Sequence, residues 1–387
     1  STGRLDGGRL HLPGVTLAEP ITIAGPGDGS ASAWERAITC LANTTNTLTG
    51  TITLTGTTSY RIGHDAQNAV LNIGPIQRST ESAGQLALHI STNSIFNANG
   101  HIDLNGGILA CQYGGTVVLN AASNDVGEVR VNRYNILKPG VADALAASAT
   151  LRIGNVPSNT TRTTGGEDVG TVDLAGVSPA LDKLEGYPNG GTVPNNATAS
   201  DSRKVTNSSD GAVTLTVGIS NGSGAFDGVI ENGPGGSISL TKVGTGTLTL
   251  TGNRDNTYTG ITAVANGTLA LNKTNGITAV SGDIVIGAGT STLQHLQNDQ
   301  LADSSTVTMT ADTSKWLLNG KSETVANVDM QNASPAVNLG LVTGSPGKLT
   351  VTDTLTHTLG HITLNSAGSA AVTTILTANR LVNRGGT

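Results

Sequence analysis

Apolar and polar residues alternate along most of this chain in short runs, each closed by a turn. The clearest run lies between Ser239 and Leu271. There Leu248 and Leu250, then Leu269 and Leu271, alternate with Thr or Ala, the period of a strand with one buried face. Between the two pairs, Gly252-Asn253 and Thr259-Gly260 supply residues that accept the left-handed corners of a winding backbone. The same pattern opens the chain, where Leu5, Leu10, Leu12, Val15, Leu17, Ile21 and Ile23 are punctuated by Gly7-Gly8, Pro13-Gly14 and Gly25-Pro26-Gly27. Strands are predicted again at Leu48, Ile52 and Leu54, and at Val70, Leu71 and Ile73. The segment Ser32 to Ile38 lacks the alternation and reads as a single helical turn with Ser32 as N-cap, a cap over the open end of the core.

The chain also repeats itself at long range. Ala144 to Ile153 matches Gln300 to Met309 at Leu145/Leu301, Ala146/Ala302, Leu151/Val307 and Ile153/Met309, an offset of 156. Leu174, Gly176, Ser178, Leu181 and Leu184 match Leu318, Gly320, Ser322, Val325 and Val328 at 144, and Gly115 to Asn120 matches Gly246 to Thr251 at 131. Self-similarity of this kind marks stacked architectures, in which each coil buries its apolar face only against its neighbours. Four regions follow: 1–45, N-terminal strands and a cap; 46–200, a first tandem unit; 201–347, a second; and 348–387, the start of a third unit or an assembly end, since Leu349 and Val351 repeat Leu215 and Val217. The polar stretches Asn155 to Asp168 and Gly186 to Asp201 read as excursions from the coil. No polar cap is evident from Leu376 to Thr387, which suggests continuation into further repeats or end-to-end self-association.

Composition narrows the choice. Gly is 52 of 387 residues, aromatics are 2% and charged residues 12%. Since each aromatic buries about 150 to 250 Å², so few of them imply a thin aliphatic core, as in a solenoid. Disordered chains of similar Gly and Ser content lack β-branched alternation and usually carry high net charge; here it is −6. The 21 Lys and Arg form no basic stripe, so no nucleic-acid partner is expected. No apolar run approaches the roughly 18 to 20 residues of a membrane helix, and nothing at Ser1 has the form of a signal peptide. Cys40 and Cys111 lie about three coils apart, on the order of 14 Å at about 4.8 Å per coil, too far for a disulfide, which needs Cα atoms within about 7 Å. They are expected to be buried thiols or, alternatively, a bridge to a neighbouring molecule.

Leu240 to Gly252, then Asn256-Thr257-Tyr258-Thr259-Gly260 and Gly267-Thr268-Leu269, resemble the autotransporter-associated β-strand repeat of bacterial passenger domains and giant surface proteins. Phe226 to Ile230, Leu318-Asn319-Gly320, and Asn46 to Leu54 are similar to its flanks and to further copies. The resemblance implies a right-handed hand and an exported, extracellular or cell-surface location. The expected fold is therefore all-β, an elongated right-handed parallel β-solenoid (β-helix) with short loop excursions.

Candidate chemistry is sparse. Asp103, Asp125 and Asp143 are 22 and 18 residues apart, close to one coil each, and with Glu128 they could stack as the carboxylates of a polysaccharide-cleaving β-helix do. Acidic residues at turns are common, however, and no Arg or Lys is evidently placed to assist. Asp182 with Glu185, and Asp299 with Asp303, read as solvated loop charges. His357 and His361 share one strand face but lack further ligands for zinc, and read as solvent-facing. Gly25 to Gly29 and Gly233 to Gly236 are not followed by the Lys-Ser/Thr of a phosphate loop. Asn72, Asn97, Asn105, Asn120, Asn272, Asn319 and Asn365 fall at strand ends or turns, where stacked amides can run hydrogen-bonded ladders or meet a glycan. Tyr258 reads as a packing residue. No catalytic, cofactor-binding or metal-binding residue is assigned. The expected role is structural: a non-enzymatic subunit or segment of a bacterial surface fibre or filament. A glycan- or cell-binding adhesin using the two excursions is the alternative, and a polysaccharide-cleaving enzyme ranks third.

Overall fold

A computed structural model gives the fold. It describes the chain except residues 1–2, 6–7, 25–35, 56–58, 65–66, 80–83, 155–168, 187–202, 288, 332–335, 339–340, 343–344, 358–374 and 384–387. The described residues form short β-strands and no helix. The helical turn expected from Ser32 lies mostly outside them, and its last residue, Ile38, opens a strand, Ile38–Cys40. The two excursions also fall almost wholly outside the described residues, as do His361 and Asn365.

Apart from the antiparallel pair Leu341–Val342 and Ser345–Pro346, the strands stack in parallel, as a β-solenoid does. Contacts divide the chain into two compact units, Ser1–Leu181 with Glu185–Thr206, and Asp182–Leu184 with Asn207–Thr387.

In the first unit three sheets form the walls. Sheet A runs from Gly3–Leu5 to Ile102–Asp103, sheet B from Leu10–Leu12 through Ile38–Cys40, Tyr60–His64, Gln85–His89, Ile108–Gln112 and Glu128–Val131 to Thr150–Ile153, and sheet C from Thr16–Leu17 to Lys204–Thr206. Because every rung repeats the period-2 pattern in register, inward side chains line up as columns. Leu10, Ile38, Ile62, Leu88, Cys111, Val131 and Ile153 make one such column in sheet B. Cys40 belongs to the next column, between Leu12 and His64. The two thiols are thus three rungs and one column apart, both buried and not joined to each other. Burial among aliphatics pushes Cys111 up to about 12.

The corner between sheets B and C shows how sequence sets the turns. Asn43, Asn68 and Asn93, each 25 residues after the last, hold left-handed φ values of 56°, 60° and 60°. Asn is the non-glycine residue that best tolerates this region, and the Asn68 amide donates to Asn43 Oδ1 across 3.3 Å.

In the second unit sheet D runs from Gly211–Val217 to Ile375–Asn383 and sheet E from Gly224–Phe226 to Ala336–Asn338. Its main column is Leu215, Leu240, Thr262, Ile284, Val307, Val328, Leu355 and Leu381. The neighbouring one is Val217, Lys242, Val264, Ile286, Met309 and Met330. A lysine therefore stands in an aliphatic stack.

Candidate functional site

Three groupings of polar side chains are candidates, one acidic, one of mixed charge and one buried. The acidic stack is only partly assembled. Asp103 and Asp125 are bridge partners on adjacent coils, but Asp143 lies beside Ser123, whose N–H donates to its carbonyl at 2.7 Å, two residues out of the column. The Asp103 carboxylate accepts from Asn105 N–H at 2.9 Å and so stabilises its own turn. Glu128 does not join these aspartates: it sits on the outer face of sheet B, whereas Asp103 belongs to sheet A.

Glu128 belongs instead to a ladder of mixed charge, which overturns the expectation that no basic residue stands near the acids. Arg130 lies over Arg152 in register, and Glu128 over Thr150. Glu128 Oε1 accepts from Arg130 Nε and Arg152 Nη1, both at 2.7 Å, and Arg152 Nη2 reaches Glu185 Oε2 at 2.5 Å. The two arginines stack one over the other, and Glu128 holds both, Arg130 along its own strand and Arg152 diagonally on the next coil. With side chains still partly in water, each pair is worth about 1 kcal/mol or less. Glu185 is therefore paired rather than solvated. Asp182, also expected in solvent, is 6% exposed and accepts from the N–H groups of Ser220 and Gly222 at 2.9 and 2.7 Å. Asp299 and Asp303 are exposed as expected, and His357 is half-buried.

The amide ladder is present. Asn97 donates to Asn72 at 2.8 Å, Asn72 to Thr47 at 3.2 Å, and Asn120 to Asn99 at 2.8 Å. Other amides, not singled out by sequence, are fully buried and act as cross-ties. Asn124 Oδ1 accepts from Ile102 N–H on one coil while its Nδ2 donates to the Ala144 carbonyl on the next. Asn256 does the same between Ile230 and Ala279. Each satisfies two backbone groups that would otherwise be costly to bury.

The buried group centres on the second unit. Lys242 and Lys273 have no exposed surface. Lys242 Nζ donates to the carbonyls of Val243, Gly244 and Asn266, and Lys273 Nζ to those of Gly228 and Thr251, at 3.0 and 3.2 Å. Each ammonium thus ties corners of successive coils. Burial pulls both lysines down to about 8. Further along, Trp316 donates its indole N–H to His295 Nε2 at 2.9 Å. An indole nitrogen only donates, so Nε2 is unprotonated and the imidazole neutral, with Nδ1 3.3 Å from Glu323 Oε2. Burial drives His295 down to about 3. It also lifts Glu323 to about 8, against the pull of backbone N–H donors from Gln300, Leu301 and Thr324. Tyr258, fully buried, hydrogen-bonds Thr262 Oγ1 at 2.7 Å, as its reading as a packing residue anticipates. Among the described residues no cluster of metal-ligating side chains forms, and no helix is long and apolar enough to cross a membrane.

The signal for these inward polar groups was the alternation itself. Lys242 continues Ile238 and Leu240, Lys273 continues Leu269 and Leu271, and His295 follows Leu293 at the same parity.

Stacked parallel coils with inward polar cross-ties and paired outward charges define a β-solenoid repeat protein. Residues 240–271 match the family model of the passenger-associated-transport-repeat, and that repeat, set within a β-solenoid, fits an autotransporter passenger-like repeat protein. The same comparisons found no matching curated protein and no matching solved structure.

Proposed function

We propose that this chain serves as a mechanical, non-catalytic segment of a secreted or surface-displayed passenger, and that its coils extend by end-to-end association into a fibre or filament. The observation that carries this reading is the register: in each unit one largely aliphatic column continues rung after rung, buried amides tie neighbouring coils, and in the second unit two buried lysines add to them. The passenger-type repeat supports export to the surface. End-to-end growth is supported by the strand Ile375–Asn383, which extends the core column onto Leu381. There Leu381, over Leu355, is 66% exposed, while Leu355 is 3% exposed. An edge of this kind is a template for a further parallel strand, whether from the same chain or a second copy. No cofactor, nucleic acid or membrane-spanning partner enters this reading.

Concentrated protein examined by light scattering and negative-stain electron microscopy is expected to form linear oligomers. Leu381→Lys, which puts a charge on that edge, is expected to dissociate them. Strictly monomeric protein at every concentration would refute the filament reading.

A further inference from the structure

The corner that uses Asn43, Asn68 and Asn93 in three coils changes character in the next two. Tyr113 and Gly114 stand there at φ 80° and 87°, then Arg133 and Tyr134 at 52° and 63°. A Cβ on Gly114 would lie 3.8 Å from that of Tyr134, so Tyr134 continues the corner column. Tyrosine and arginine are poorly suited to left-handed backbone, and such outliers concentrate where function holds them.

What they hold is a stack. The Arg133 guanidinium lies 4.8 Å from the centre of the Tyr113 ring and donates to its hydroxyl. The His89 ring packs against Tyr113 as well, 4.5 Å between ring centres. His89 is buried and, besides that burial, feels the positive charges of Arg36, Arg61 and Arg133. In a chain of net charge −6, Arg133 sets a guanidinium group at this corner. Tyr134 is 48% exposed, while Tyr60, Tyr258, Phe96, Phe226 and Trp316 are fully buried; it is the one exposed aromatic among the described residues.

We propose that this corner of the first unit binds an anionic sugar, with Tyr134 as the stacking platform and the Arg133 guanidinium meeting its acid group. An aromatic face accepts the C–H face of a sugar ring, because it offers a large, rigid apolar surface with a polar rim. Guanidinium groups match carboxylate or sulfate through paired, charge-assisted hydrogen bonds. A polynucleotide fits less well, since sequence-independent single-strand binders present several stacking aromatics along a basic groove, and this corner exposes one.

The test is calorimetry on the whole chain with oligogalacturonate (carboxylate), heparin-derived oligosaccharide (sulfate), maltohexaose (neutral) and single-stranded DNA, at low and high salt. Binding to either acidic glycan, weakened by salt, supports the proposal and tells carboxylate from sulfate. The decisive variant is Tyr134→Asn, which installs the residue used at this corner by three other coils. It is expected to melt no lower than the parent, since Asn suits the left-handed backbone, yet to bind the glycan at least about tenfold more weakly. Arg133→Lys, which leaves the backbone demand of the turn unchanged but removes the planar fork, is expected to weaken binding similarly and carries the test if Tyr134→Asn fails to fold. Absence of binding to both acidic glycans, equal binding of maltohexaose, binding of DNA alone, or unchanged affinity in the folded variants would overturn it.

Discussion

The two buried lysines predict a stability that rises as the solution becomes more alkaline. Lys242 and Lys273 titrate near 8 in the folded chain, against about 10.4 when solvated. Between those values the unfolded chain binds more protons than the folded one, so unfolding free energy increases with pH. The penalty is fully present below the folded value and is relieved as pH climbs toward the unfolded one. From about pH 7.5 to about pH 9.5 the gain is about 2 kcal/mol per lysine; Glu323, held protonated to about 8 by burial, loses its proton in the same window and takes back about 1 kcal/mol, leaving a net gain of about 3 kcal/mol in the second unit. That window stops short of tyrosine ionisation, which would reverse the trend because Tyr258 is held protonated by burial. The measurement is guanidinium unfolding of the full chain with Trp34→Phe, so that Trp316 reports on the second unit. The midpoint is expected to move to higher denaturant across the window, and to move about a third as far in Lys242→Met or in Lys273→Met, where one lysine and the opposing Glu323 remain. A flat or falling midpoint, or an undiminished slope in the double variant, would refute the burial argument.

Three further outcomes follow from the core. Leu250→Ala, at a fully buried position between Phe226 and Leu271, is expected to cost about 3 kcal/mol, measured by the same unfolding curve. Asn256→Ala strands the Ile230 N–H and the Ala279 carbonyl and should cost about as much, with faster amide hydrogen exchange at Ile230. Iodoacetamide should leave Cys111 unmodified in the native protein and label it after unfolding, read by mass spectrometry, since both its burial and its raised pKa withhold the thiolate.

How much was legible in advance depends on what the alternation could encode. Inward aliphatics such as Leu248, Leu250, Leu269 and Leu271 announce their own columns, and the spacing of Cys40 and Cys111 was enough to place them three rungs apart. The inward lysines were visible by parity but masked by chemistry, because a charge is normally read as solvent-facing. Glu128 was assigned to the wrong grouping for a different reason. Sequence spacing gives the rung, whereas the wall of the solenoid depends on where the corners fall. Asp143 likewise has nearly the right separation from Asp125 but lies two residues out of register, because coil length is not constant. The strained corner at Arg133 and Tyr134 left no mark in the pattern of apolar residues at all.

That variable coil length has a consequence for how such a protein can change. Ile21 pairs with Ile52, thirty-one positions later, whereas Leu240 pairs with Thr262, only twenty-two later, and both pairings keep their columns. A single residue added inside a strand would turn its apolar side outward, but many added at a corner leave the stack untouched. The architecture therefore behaves as a chassis: new segments can be mounted at its bends without renegotiating the core, and deletion scanning should find tolerance confined to those bends.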